Sequence, residues 1–194
     1  FYQPTDVEKE IAYTYQEAGI TCPSHMQLSR IAEAFNIDVT YYPGKSFVYY
    51  GEDRPIVFID ERLSETEQRE DFFHELCHPL RHIGHQLRMP QLFRDLQEVQ
   101  AAQFQLYAGI PFYLIKQMFD DAVSISAKAL ATAFRVSEMF ALKRIEQIKN
   151  RVIYARRKRI EPEQETESNS IIVTFPETER LLQQLYRQIK AKGS

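Results

Sequence analysis

Residues 74–78 read His-Glu-Leu-Cys-His, an H-E-x-x-H sequence within a segment whose apolar residues have helical spacing. Ser64 and Glu67 form a capping box that predicts the start of this helix, which we expect to continue to about His82. Histidines four residues apart lie on one helical face with β-carbons about 6 Å apart, so both imidazoles can bind one ion. Glu75 is then beside the ion, where it can accept a proton from water.

A catalytic metal site needs a third protein ligand and an open position. The downstream candidates are His82, His85, Asp95 and Glu98. Glu98 is favoured, because it lies on a helix predicted for about residues 91–107, with alanines on its side that permit close helix packing. Asp95, one turn earlier, is the reserve ligand, or else a hydrogen-bond partner of a liganding imidazole.

His82 follows His78 by four residues and shares its helical face. On a straight helix it rises about 12 Å above His74, too far for both to bind one ion. We therefore expect His82 to act on a ligand by hydrogen bonding. Catalysis also needs a donor to the oxyanion of the tetrahedral intermediate. The spacing does not choose among the candidates, which are His82, His85, Tyr107 and Tyr113.

The segments around the H-E-x-x-H helix indicate the fold class. Three short runs rich in β-branched and aromatic residues, at 37–42, 46–50 and 56–59, predict an antiparallel meander. Two predicted helices at 127–134 and 137–148, joined by a short turn, have helix-turn-helix spacing. We predict an α+β, zincin-like peptidase domain with a small three-stranded antiparallel sheet and an active-site helix, followed by a helix-turn-helix-like helical module.

We predict four segments along the chain from the order of the predicted elements and from local composition. The metallopeptidase domain covers residues 1–111 and the helical module covers residues 112–160. Residues 161–170 are almost devoid of apolar side chains and predict an acidic linker. Residues 171–194 predict an amphipathic carboxy-terminal helix, whose leucine face must pack on this domain or on a partner.

The overall composition excludes several classes of protein. With 194 residues, of which 44% are hydrophobic and 26% charged, the chain can form one packed domain with a small appendage. Six glycines disfavour glycine-rich phosphate loops, and two cysteines make no disulfide framework. No apolar stretch is long enough to cross a membrane, so we expect a cytoplasmic protein without a membrane partner.

A basic run supports a rival hypothesis. Residues 143–159 carry a net charge of +7, although the chain as a whole carries −3. Next to a helix-turn-helix, such a run could contact phosphates, and the candidate contacts are Arg156, Arg157, Lys158 and Arg159. Against this, the second helix begins with Glu138, Met139 and Phe140, which are poorly suited to reading bases. The rival is a DNA-binding or repressor-binding regulator without protease activity.

The chain resembles the ImmA/IrrE-type metallopeptidases of bacteria and mobile elements over about residues 10–148. The resemblance rests on the H-E-x-x-H sequence and on a downstream E-x-x-A-x-x-F…P pattern, here Glu98, Ala101, Phe104 and Pro111. It implies a zinc ion, with manganese as the alternative, held by His74, His78 and Glu98, with Glu75 as the general base.

Members of this family cleave helix-turn-helix transcriptional repressors. The resemblance therefore implies an antirepressor endopeptidase of bacteriophage or mobile-element type, whose substrate is a repressor protein. The reaction would use a metal-activated water.

Overall fold

The protein is a mixed α+β structure, seen in a computed structural model that describes residues 2–82, 90–118 and 126–160, with side chains up to residue 157. In these ranges a three-stranded sheet follows two amino-terminal α-helices, which a 3-10 turn (Pro23–His25) separates, and five further α-helices follow the sheet. The helices are α1 (Asp6–Glu17), α2 (Leu28–Ala34), α3 (Glu65–Arg81), α4 (Gln91–Gly109), α5 (Phe112–Met118), α6 (Ala127–Phe134) and α7 (Glu138–Ile160), and the strands are β1 (Asp38–Tyr42), β2 (Phe47–Tyr50) and β3 (Pro55–Asp60).

Helix α3, which carries the H-E-x-x-H sequence, begins where the sequence predicts. The Ser64 hydroxyl accepts from the Glu67 amide at 3.3 Å, and the Glu67 carboxylate accepts from the Ser64 amide at 3.0 Å. The helix continues through Pro79, and the amide of His82 donates to the carbonyl of His78 at 3.0 Å. The predicted start and end of this helix are therefore confirmed.

The predicted antiparallel meander is wrong. The strand order is β1-β3-β2, in which β3 pairs with β2 in antiparallel and with β1 in parallel orientation. The central strand β3 is the most apolar of the three, and its Val57 and Ile59 are fully buried. A central position satisfies the main chain of β3 on both sides, whereas the more exposed β2 is left as an edge strand.

The core is continuous across residue 111, where we predicted a domain boundary. Phe73 of α3, Ala108 of α4, Leu130 of α6 and Phe140 of α7 are all buried in one hydrophobic cluster. Gly109 lies so close to α7 that an added β-carbon would be 2.8 Å from the Phe140 ring. The helices after Pro111 thus share one core with α3 and α4, and the predicted division into segments stays a prediction.

Helices α6 and α7 are joined by a short turn, as the sequence predicts, and Arg135 ends α6 in the left-handed conformation with φ 58°. Helix α7 is longer than predicted and ends at Ile160 instead of about residue 148. The inner face of α7 is buried at Phe140, Ala141 and Arg144.

Within the described ranges, none of the helices combines the length and the apolarity that crossing a lipid bilayer requires. The linker and the carboxy-terminal helix predicted for residues 161–194 lie outside those ranges.

Candidate metal centre

Three side chains from α3 and α4 converge on one point. His74, His78 and Glu98 each offer one ligand atom, and these atoms all lie within 4.8 Å of one another. His74 Nε2 is 3.1 Å from one carboxylate oxygen of Glu98, and His78 Nε2 is 3.8 Å from the other. Two imidazole nitrogens and one carboxylate oxygen are a donor set that suits zinc and leaves a fourth position for water. The residues present therefore fit a divalent metal ion.

Local structure explains this convergence. The two histidines share a face of α3 because a helix brings positions four apart above one another. Ala101, almost one turn after Glu98, is fully buried, and a small side chain on this side of α4 permits close packing against α3. Cys77 lies between the histidines in sequence, but it is buried, and burial raises the pKa of its thiol to about 12. Its sulfur is not among the atoms that converge with those of His74, His78 and Glu98 in the described residues.

A chain of hydrogen bonds stands behind His78. His78 Nδ1 is 3.1 Å from His82 Nδ1, and His82 Nε2 is 3.1 Å from the side-chain oxygen of Gln100. Because an amide oxygen only accepts, His82 carries its proton on Nε2 and accepts from His78 at Nδ1. The Nε2 atom of His78, which lies near Glu98, then carries a lone pair instead of a proton. His82 thus lies within hydrogen-bond distance of His78, the candidate ligand four residues before it.

Burial and neighbouring charges set the pKa values of the donors. Burial is the largest influence on His78 and lowers its pKa to about 4, which leaves a neutral imidazole near pH 7. Burial also opposes the charged form of His74, but Glu98 and Glu75 outweigh it and raise the pKa of His74 overall. The hydrogen bond from His74 lowers the pKa of Glu98, which keeps this carboxylate ionised.

Glu75 lies in the same cavity as the three donors but outside their cluster. Burial raises its pKa to about 7, and the negative charges of Glu98 and Asp71 add to that effect, whereas His74 opposes it. A carboxylate with a pKa near the working pH can both take up and release a proton.

The cavity has a volume of about 870 Å³ and lies between α3, α4 and the edge strand β2. Phe47, Val48 and Tyr50 of β2 line it together with the histidines. Tyr50 is 51% exposed. Partial burial and the charge of Glu75 raise its pKa, so the hydroxyl keeps its proton at neutral pH. An edge strand beside a metal site can pair with an extended peptide through its main chain.

The structure places the other predicted site residues elsewhere. Asp95 lies outside the donor cluster and accepts from the Gln91 side chain at 2.7 Å. The Tyr107 hydroxyl accepts from Arg151 at 3.2 Å, and the Tyr113 hydroxyl donates to the Ile20 carbonyl at 2.7 Å. Neither tyrosine lines the cavity that contains Glu75. His85 lies outside the described residues.

The sequence analysis missed Tyr50 and Asp71, which both line this cavity. Asp71 precedes His74 by almost one helical turn and accepts from the Ser46 hydroxyl at 2.6 Å, which ties α3 to the loop before β2. Helical spacing could have placed Asp71 near the site. The presence of Tyr50 in this cavity depends on the order of the strands in the sheet, which no local sequence pattern indicates.

The basic run is less continuous in space than in sequence. Arg144 is fully buried and Arg151 points inward to Tyr107. Arg156 and Arg157 are exposed on α7, whereas the side chains of Lys158 and Arg159 lie outside the description. Nucleic-acid contact by these four residues stays a prediction.

Comparisons with known proteins agree with this geometry. The model of the Peptidase_M78 family, described as the IrrE N-terminal-like domain, matches residues 32–146, which include the three donors and Glu75. The chain is 35% identical over 148 residues to the phage-like element PBSX protein XkdA of Bacillus subtilis (strain 168), covering 75% of this chain and 74% of XkdA. It is 32% identical over 145 residues to the protein YqaB of the same organism, covering 74% of this chain and 84% of YqaB.

Proposed function

Because the chain belongs to the Peptidase_M78 family of IrrE N-terminal-like domains, we propose that it is a metal-dependent endopeptidase with a regulatory role in a phage-like element. The observation that carries this proposal is the cluster of His74, His78 and Glu98 with Glu75 in the same cavity. On this proposal the α+β structure is a zincin-like domain, and α6 and α7 are a helix-turn-helix-like module packed on it.

His74, His78 and Glu98 would hold the ion, which we propose to be zinc, with manganese as the alternative. When bound, such an ion makes water a better nucleophile and polarises the scissile carbonyl. Glu75 accepts a proton from the attacking water and then delivers it to the leaving amine. Tyr50 lines the same cavity, and its hydroxyl is our candidate donor to the oxyanion.

We propose a protein substrate, and specifically a helix-turn-helix transcriptional repressor, which would make the chain a cytoplasmic antirepressor. The open cavity of about 870 Å³ beside edge strand β2 supports a peptide substrate, since an extended segment can add to the sheet there. The name of the relative XkdA, a phage-like element protein, supports a role in a mobile element.

The test is to incubate the full chain with the repressor encoded beside its gene. We expect cleavage by the wild type and a loss of about 10² to 10⁴ in rate for Glu75→Gln, because the general base is removed while the metal ligands stay. Metal content, measured on both proteins, should be equal. Undiminished cleavage by Glu75→Gln would contradict the proposed mechanism.

The exposed Arg156 and Arg157 favour a second candidate, a DNA-binding or repressor-binding regulator. Duplex binding that weakens with salt, and that is lost when residues 156–159 are neutralised, would support it. Such binding together with an absence of proteolysis would replace the endopeptidase proposal.

A further inference from the structure

A second cavity, separate from the metal centre, lies on the other side of α3. Its volume is about 370 Å³, within the roughly 300–1,000 Å³ range of small-molecule sites. No residue lines both cavities. The polar residues that line the second cavity are Gln27, Ser29, Tyr41, Glu65, Thr66, Gln68, Arg69 and Arg135, so one carboxylate accompanies the two arginines.

Arg69 is a buried cation without a carboxylate partner among the described residues. Its residue exposure is only 5%, and its one hydrogen bond in the described ranges runs from Nε to the Phe134 carbonyl at 2.8 Å. The guanidinium also lies 5.2 Å from the centre of the Phe73 ring. These contacts occupy one edge and one face of the guanidinium, so its terminal nitrogens remain as donors where Arg69 lines the cavity.

The charge on Arg69 persists at neutral pH. Burial lowers the pKa of its guanidinium to about 10, and the nearby charge of Arg135 adds to this effect. A buried charge is costly unless a partner of opposite sign or several hydrogen bonds compensate it. The contacts of Arg69 supply one hydrogen bond and one aromatic face, and its terminal nitrogens are not among the described buried atoms that lack a partner. They therefore reach water in the cavity, and an anion can replace that water.

Arg135 brings a second positive charge to the same cavity. It occupies the turn between α6 and α7 with φ 58°, directly after the carbonyl that Arg69 holds. Its only carboxylate partner in the described ranges is Glu65, at 3.6 Å, whose side chain is 90% exposed. An exposed pair at that distance is weak, so an anion can compete with Glu65 for Arg135.

We propose that this second cavity binds an oxyanion, the phosphate or carboxylate group of a small molecule, between Arg69 and Arg135. Two guanidinium groups offer planar sets of donors that match the oxygens of either group. The hydroxyls of Ser29 and Thr66 supply further donors in the lining. A bound anion would join α2, α3 and the α6–α7 turn.

The experiment is calorimetric titration of the full chain with inorganic phosphate at constant ionic strength. Arg69 is left in place, since its removal would empty a buried site. Arg135→Asn removes the second cation with a residue that tolerates positive φ, and it should weaken binding about ten-fold. Glu65→Gln removes the competing carboxylate and should strengthen binding. Arg156→Gln, an exposed arginine on α7 outside the cavity, is the matched control and should leave the affinity unchanged.

Parallel titrations with glycerol phosphate and with succinate identify the anionic group, and the tighter ligand assigns phosphate or carboxylate chemistry. The metal centre is the same in all four proteins, so anion binding there cannot produce opposite effects of Arg135→Asn and Glu65→Gln. The proposal is overturned if none of the three anions binds, or if Arg135→Asn changes affinity no more than Arg156→Gln does.

Discussion

Glu98 faces His74 and His78 through different carboxylate oxygens, so a single side chain completes the donor set. We predict that Glu98→Ala lowers zinc affinity by more than roughly 100-fold. Loss of a residue that only hydrogen-bonds a ligand costs up to about that much, and loss of the ligand itself should cost more. Asp95→Asn, on the same helix, is the matched control and should keep the ion, because Asp95 lies outside the donor cluster. Competition with a chromophoric chelator measures both affinities. Equal losses in the two variants would refute the assignment of Glu98.

We propose that His82 acts on the site through His78, since the Nδ1 atoms of the two residues are 3.1 Å apart. We predict that His82→Phe lowers zinc affinity about 10- to 100-fold, because the orientation and tautomer of His78 are no longer fixed. The same competition assay measures the change. His82→Asn retains a side-chain acceptor and should lose less affinity than His82→Phe. An affinity of His82→Phe equal to that of the wild type would show that this hydrogen bond does not position His78.

The sequence predicts much of the site at this scale, because the position of the two histidines on one face follows from helical periodicity. The alanines that follow Glu98 on α4 are enough to favour Glu98 over Asp95 as the third ligand. The positions of Tyr107 and Tyr113 could not be predicted, because their hydroxyls bind Arg151 and the Ile20 carbonyl, which are distant in sequence. The functional roles of the site residues stay predictions.

At the scale of elements, α3 positions the site, and its start depends on the Ser64 capping box. We predict that Ser64→Ala lowers the free energy of unfolding by about 1 kcal/mol, because the Glu67 amide loses its acceptor. Chemical denaturation measures this change. Ser64→Asp keeps an acceptor at the cap and should remain close to the wild type. A Ser64→Ala protein as stable as the wild type would mean that packing alone fixes the start of α3.

The contrast between α3 and the sheet shows what local sequence encodes. A capping box involves residues three apart, so the sequence alone locates the start of α3. Strand order depends on which edges meet after the chain has folded, and Pro43 and Gly44 suggest a hairpin between β1 and β2 that does not form. The insertion of β3 between them follows from burial of its apolar residues, which is a property of the assembled core.

At the scale of the whole molecule, a buried ion pair joins the first and last helices of the described chain. Arg144 of α7 donates to Glu8 of α1 at 2.6 Å, and both side chains are almost completely buried. Glu8 also accepts from the Tyr2 hydroxyl at 2.6 Å. The basic run in the sequence does not reveal this pair, because a count of charges does not show which side chains face inward.

We predict that Glu8→Gln lowers the free energy of unfolding at pH 7 by about 3 kcal/mol, because it leaves the buried charge of Arg144 without a counterion. Burial raises the pKa of Glu8, but Arg144, Tyr2 and Thr5 outweigh it and lower the pKa below the ordinary value of 4.5. The stabilisation from Glu8 is therefore complete above that value and lost as the pH falls through the lowered pKa.

Denaturation at a series of pH values measures this effect. The stabilities of the wild type and Glu8→Gln should converge below pH 4.5. Asp6→Asn, which alters an exposed pair with Lys9 on the same helix, is the control and should change stability little. A difference between wild type and Glu8→Gln that stays constant with pH would contradict this account.

The central claim is that α3 and α4 together hold one divalent metal ion. Its most direct test is anomalous diffraction at the zinc edge from crystals of the zinc-loaded full chain. We predict one peak about 2.0–2.2 Å from His74 Nε2, His78 Nε2 and a Glu98 carboxylate oxygen. A peak that excludes Glu98, or no peak between α3 and α4, would contradict the claim.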